Sequence, residues 1–188
     1  IEAYNKALVI KPDYAEVYYN TGTILKSQCK LEEAIKAYNK ALAIKPDYAD
    51  AYYNMGTALQ EQSKPEEAIE AYNKALAIKP DYADAFNNMG TVLQEQSKPE
   101  EAIEAYRKAL AIKPDYVDAY NNMGNALQEQ SKPEEAIEAY RKALAINPDY
   151  ADAYNNMGNA LQEQSKPEEA IEAYNKALVI KPDYAEVY

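Results

Sequence analysis

Apolar and polar residues follow a helical period along this chain, and the pattern repeats as a block. In the stretch from Ala49 to Tyr82, residues Tyr52, Met55, Gly56 and Leu59 recur at i, i+3, i+4 and i+7, which gathers them on one helix face. Ala68, Tyr72, Ala75 and Ile78 do the same in the second half, and Ile69 and Leu76 widen that stripe. A slide of 34 residues carries Gly56 onto Gly22, Gly90, Gly124 and Gly158, and Pro80 onto Pro12, Pro46, Pro114, Pro148 and Pro182. A fixed period of this length marks a helical repeat array. The pattern predicts two amphipathic helices per unit. Each is too short to be stable alone, so the two must pack on one another.

Start and stop signals agree with that division. Asp81, three residues before Asp84, suits an N-cap at the entry to a first helix. Ser63, three residues before Glu66, has capping-box spacing, and Pro65 fits the first turn of the second helix. Pro80 cannot continue a helix and turns Lys79 away from the helical region. Gly56 and Ala68 are small residues inside helices. Glycine weakens a helix by about 1 kcal/mol relative to alanine, so close helix–helix approach is the expected compensation.

The period overrides the prior of one or two ordinary domains and predicts a single quasi-linear array over residues 1–188. Residues 1–14 read as a partial second helix, with Ile1, Tyr4 and Ala7 in the places of Ile69, Tyr72 and Ala75. Full repeats occupy 15–48, 49–82, 83–116, 117–150 and 151–184, and residues 185–188 begin another. Residues 171–188 repeat 1–18 without a change, which fits a piece of a longer array. With no polar cap at either end, the apolar stacking faces predict end-to-end self-association.

Composition follows from the repeat. All 19 Tyr fall at the places of Tyr52, Tyr53, Tyr72 and Tyr82, and all 10 Pro at those of Pro65 or Pro80, which leaves no such residue over for a separate site. The net charge of −11 argues against nucleic acid, which needs a basic stripe, and against an anionic membrane surface. No apolar run is long enough for a membrane span. Histidine is absent and Cys29 stands alone, which removes histidine-based acid/base chemistry, Cys–His dyads and the usual structural zinc sites. No cofactor is expected. Cys29 replaces a turn serine and reads as drift at an exposed turn rather than as a reactive thiol.

Tyr52, Met55-Gly56, Leu59, Ala68, Tyr72, Ala75 and Pro80 stand where the tetratricopeptide repeat has its large, small and proline signature residues. The whole chain resembles that family, with Tyr or Phe86 in place of its usual Trp. The resemblance implies an all-α fold: antiparallel helix pairs stacked as an alpha-alpha superhelix, or solenoid, with a concave groove lined mainly by first helices.

A second, polar stripe runs along the first helix through Asp50, Tyr53, Asn54, Thr57, Gln60 and Glu61. Asn54 recurs as Asn20, Asn88, Asn122 and Asn156. An amide offers both a donor and an acceptor, so a row of them can pair with the backbone of an extended peptide whatever its side chains. The run Asn87-Asn88-Met89-Gly90 looks like repeats of the O-linked N-acetylglucosamine transferase superhelix and of long bacterial arrays. On that resemblance a peptide-holding role carries to Asn20, Asn54, Asn88, Asn122 and Asn156, and an acidic row to Asp50, Asp84, Asp118 and Asp152, with Glu16 in the first repeat. The competing interpretation is an asparagine bonded locally or to the neighbouring repeat, tuning the stack. The acids favour a basic partner or simply keep the array soluble. A carboxylate clamp for peptide C-termini needs Lys or Arg on this stripe, and only Lys26 stands there.

The sequence thus points to a non-enzymatic protein–protein interaction scaffold that holds an extended, basic or polar segment of a protein or peptide. Two alternatives stay open: a self-assembling structural array with no dedicated ligand, and the substrate-recruiting part of a larger glycosyltransferase. The acids occur identically in every copy, with no unique pocket, which argues against catalysis.

Overall fold

The computed structural model describes residues 14–182. The expectations for residues 1–13 and for the helix start at 185–188 lie outside these. Among the described residues there are ten helices and no strand. First helices are α1 (Ala15–Ser27), α3 (Ala49–Glu61), α5 (Ala83–Glu95), α7 (Val117–Glu129) and α9 (Ala151–Glu163). Second helices are α2 (Leu31–Ile44), α4 (Pro65–Ile78), α6 (Pro99–Ile112), α8 (Pro133–Ile146) and α10 (Pro167–Ile180). The fold class is all-α, a helical-repeat solenoid.

The described residues fall into two compact units, one running up to Val92 and the other from Leu93. In the first, α1 packs on α2, α2 on α3 and α3 on α4, and α1 also touches α3. The core gathers Leu59, Ala68, Tyr72, Leu76, Ala85 and Val92 around α3 and α4, and Leu25, Ala34, Tyr38 and Ala58 around α2. In the second unit α6, α7, α8, α9 and α10 pack each on the next, and α7 also touches α9. There Ala143, Leu144 and Ala153 are buried against Tyr120, Tyr154 and Met157. Each leucine buried in these cores contributes roughly 1.5–3 kcal/mol.

The glycine expectation is met by one recurring contact. A Cβ on Gly22 would stand 2.6 Å from Cε1 of Tyr38, and one on Gly158 would stand 2.5 Å from Cε1 of Tyr174. Each tyrosine ring packs against the first helix of its own repeat, and only a bare Cα admits it. Tyr38, Tyr72, Tyr106 and Tyr140 are fully buried as a result.

Two local expectations are corrected. Ser63 does not cap α4. The N-cap residue is Lys64 with no side-chain hydrogen bond, and Ser63 sits at φ 57° in the left-handed region. Its N–H donates to the Gln60 carbonyl at 2.8 Å, and that of Lys64 donates to the Leu59 carbonyl at 3.0 Å. This double closure is a Schellman stop, so the serine ends the first helix instead of starting the second. Cys29, Ser97, Ser131 and Ser165 adopt the same conformation. Pro65 opens α4 as expected, and a missing N–H costs nothing there. At the first helices the residue after the aspartate takes the cap place: Tyr48 precedes α3 and Tyr116 precedes α7, neither with a side-chain cap bond.

The apolar stripe of the second helix is also shorter than expected. Ile78, in the last turn of α4, is 38 % exposed, and Ile44, Ile112 and Ile146 behave alike. Leu76 and Ala71 close the stripe in its place.

Candidate polar face of the first helices

The expected site residues all lie on first helices: Asn20 on α1, Asn54 and Asp50 on α3, Asn88 and Asp84 on α5, Asn122 and Asp118 on α7, and Asn156 and Asp152 on α9. All are half-buried except Asp118, which is exposed.

Asn54 is held on two sides. Its Nδ2 donates to the Asp50 carbonyl at 3.0 Å and to the Tyr19 hydroxyl, also at 3.0 Å, in the preceding repeat. Asn88 Nδ2 donates to the Tyr53 hydroxyl at 3.1 Å, and Asn88 Oδ1 accepts from Asn87 Nδ2 at 3.3 Å. In the second unit Asn156 Nδ2 donates to Asn121 Oδ1 at 3.1 Å. Tyr19, Tyr53 and Asn121 occupy one and the same place in the repeat. An acceptor there, whether a phenol or an amide, ties Asn54, Asn88 and Asn156 to the repeat before. Asn54 thus bonds both its own helix and the adjacent repeat, and Asn88 and Asn156 share the second of these ties. The Oδ1 atoms of Asn54 and Asn156 accept no hydrogen bond among the described residues, and neither is a buried oxygen lacking a partner.

Two of the carboxylates are engaged too, by the tyrosine that ends each repeat. The Tyr150 hydroxyl donates to Asp118 at 3.1 Å, and the Tyr82 hydroxyl bonds Asp50. Burial, and next to it the Asp118 charge, pushes the Tyr150 phenol up to about 12. Tyr82 is raised for the same reasons, burial first and Asp50 second. Tyr53 is raised by burial and the Asp84 charge, against the opposing pull of its bond to Asn88. These phenols stay protonated and serve as donors or acceptors, not as acids.

Aromatic packing adds a platform to the first unit. The rings of Tyr19 and Tyr48 have centroids 4.9 Å apart, and those of Tyr53 and Tyr82 are 4.8 Å apart. Lys45 and Lys79 cover Tyr48 and Tyr82 at 4.5 and 4.3 Å from the ring centroids. The one lysine expected on the polar stripe, Lys26, donates to Thr57 Oγ1 at 2.8 Å. Among the described residues there is no group of His, Cys, Asp and Glu able to hold a metal ion, and no helix is long and apolar enough to cross a membrane.

The tyrosine and asparagine partners were visible as letters in the sequence. Their role was not, because it depends on how one repeat seats on the next.

No curated protein matches the chain. Among solved structures it resembles YrrB, described as a TPR protein with an unusual peptide-binding site, at 29 % identity and a TM-score of 0.79 over 97 % of this chain and 94 % of that one. It resembles MamA at 27 % identity and a TM-score of 0.81, covering 88 % of this chain and 96 % of that one. PilF of Pseudomonas aeruginosa is similar at 26 % identity and a TM-score of 0.79, with 92 % and 83 % covered. The tetratricopeptide-repeat signature matches residues 81–148 and 115–183, and related repeat signatures match 22–63 and 49–82. With the helix pairs, the glycine–tyrosine contact and these matches together, the chain belongs to the tetratricopeptide-repeat family.

Proposed function

We propose that this chain is a non-catalytic scaffold whose first helices hold an extended segment of a partner protein, basic or polar in character. Asn20, Asn54, Asn88, Asn122 and Asn156 contact the partner's backbone, and Asp50, Asp84, Asp118 and Asp152 attract its charge. The observation that carries the reading is the recurrence of a half-buried asparagine and an aspartate on one face of the first helices, in both units. An acidic surface on a chain of net charge −11 complements a cationic segment, raising association rate and selectivity more than affinity. The peptide-binding site named for YrrB supports the same use of the face.

The test is a screen of arrayed basic, neutral and acidic peptides against the wild-type chain and the Asn88→Ala/Asn122→Ala double variant. Basic or polar peptides should be retained by the wild type and lost by the variant, whose far-UV circular dichroism stays unchanged. Equal retention of acidic peptides, or no effect of the double substitution, refutes the assignment.

A further inference from the structure

We infer that the crevice between α6 and α8 is a docking site of its own, which takes an extended peptide segment with a bulky apolar side chain set between an acidic and a basic one. The site lies on second helices, away from the polar face proposed above, and stands or falls independently of it.

The crevice has a volume of about 400 Å³ and lies wholly within the second unit. Leu110 of α6, Met123 and Leu127 of α7 and Ala139 of α8 give it an apolar lining. Leu127 and Ala139 are buried, whereas Leu110 and Met123 are half-buried and leave apolar surface uncovered. Clefts of this size, apolar inside with a few polar groups around them, are where ligands bind. Methionine suits such a floor, because its unbranched thioether adapts to what it meets.

The charges at the rim say what the occupant carries. Glu138 and Lys142 of α8 pair with each other at 2.9 Å. Arg107 of α6 and Glu135 of α8 line the same crevice, both exposed, yet among the described residues neither makes an ion pair or a hydrogen bond. The chain has two arginines, and the second shows the contrast: Arg141 and Glu169, in the same places one repeat on, meet at 3.9 Å. In the first unit the place of Arg107 is held by the uncharged Asn39 and Asn73. The α6–α8 crevice thus keeps a guanidinium and a carboxylate on opposite walls of an apolar slot, each without a counterion.

A partner completes this set with a carboxylate on the Arg107 fork, a Lys or Arg head on Glu135 and an apolar side chain over Leu110 and Met123. Along an extended segment residues i−2, i and i+2 point the same way, so the order Glu-x-Phe-x-Lys presents all three groups together. Two positive and two negative rim charges cancel, so this site does not select for the basic character that the first-helix acids favour.

The test titrates acetyl-Ala-Glu-Ala-Phe-Ala-Lys-Ala-amide into the whole chain and follows the methyl resonances of Met55, Met89, Met123 and Met157. The Met123 signal should move and the other three should stay; equal movement at Met157 or Met55, or no binding at about 1 mM peptide, overturns the inference. Replacing the peptide's Phe by Ala should cost at least about ten-fold in affinity. Arg107→Asn installs the residue that other repeats carry at this place, so the fold is kept. It should weaken the peptide by about ten-fold while leaving the Gln-for-Glu peptide bound as weakly as the wild type binds it. Equal binding of the parent peptide by wild type and variant removes Arg107 from the site and overturns the inference. Free phenylalanine binding as tightly as the peptide would make the crevice a site for a small zwitterion and would also overturn it. Asn88→Ala/Asn122→Ala should leave the affinity for this peptide unchanged, and a loss there would place the peptide on the first-helix face instead.

Discussion

Gly56 and Tyr72 are fitted to one another so closely that a Cβ on the glycine would stand 2.6 Å from Cε1 of the tyrosine. The ring is fully buried and cannot swing aside, so Gly56→Ala forces either the ring off its rotamer or α3 away from α4. Overpacking of this kind costs about 1–3 kcal/mol, more than the roughly 1 kcal/mol that alanine gains in helix propensity. Urea denaturation should show a net loss of stability for Gly56→Ala. In a double-mutant cycle Tyr72→Leu should recover part of that loss, since the two residues share one space.

The serines that end the first helices offer the opposite effect. Ser63, Ser97, Ser131 and Ser165 hold φ between 56° and 58°, where an L side chain costs about 1 kcal/mol. Glycine removes that cost and returns part of it as unfolded-chain entropy, for a net gain of about 0.5 kcal/mol per site. Each serine N–H bonds only within its own turn, so the effects should add and the quadruple glycine variant gains roughly 2 kcal/mol in thermal or urea unfolding. Ser63→Val should be destabilised, because a branched side chain is disfavoured there.

How much of this was legible in the sequence differs from residue to residue. The helix pairs and the need for Gly56 were readable because period, turn chemistry and a small residue inside a helix all pointed to one arrangement. Ser63 misleads because a serine three residues before Glu66 satisfies a helix-start signature, while the same serine can also stop the helix before it. Only the backbone angle of 57° distinguishes the two. Ile78 continues the apolar period in letters, yet it lies in the last turn of α4 and is exposed, and period alone carries no information about where a neighbour ends. On the polar face the asparagines were found by recurrence. That Asn54 bonds Tyr19, 35 residues upstream, depends on inter-repeat seating, which no local pattern encodes.

Alkaline pH should unfold the chain through its tyrosines. Burial first, and lesser charge effects after it, push Tyr38 from 10.0 to about 12 in the folded state, and Tyr150 likewise reaches about 12. A phenol with a raised folded pKa binds its proton more tightly when folded, so its contribution is fully present below pH 10 and is lost as pH rises from 10 toward 12. Helical circular dichroism and tyrosinate absorbance should therefore change together above pH 10, in a cooperative step. Tyr38→Phe should flatten that dependence. Tyrosinate appearing with helicity intact shows that the buried phenols are not the controlling groups.

Asn54→Ala separates the two roles of the ladder. Removing the amide frees the Tyr19 hydroxyl and the Asp50 carbonyl, both half-open to water, so the loss is that of an ordinary hydrogen-bond pair, about 1 kcal/mol, and not that of a buried unsatisfied group. Asn54→Asp keeps an oxygen but presents a carboxylate to the Asp50 carbonyl, two acceptors facing each other, and should cost more than alanine does. If urea denaturation ranks wild type above Ala and Ala above Asp, the donor side of the amide is what joins the repeats. A ranking with Asp equal to wild type would mean that Nδ2 contributes nothing to the stack, and that the asparagine is kept for its oxygen alone.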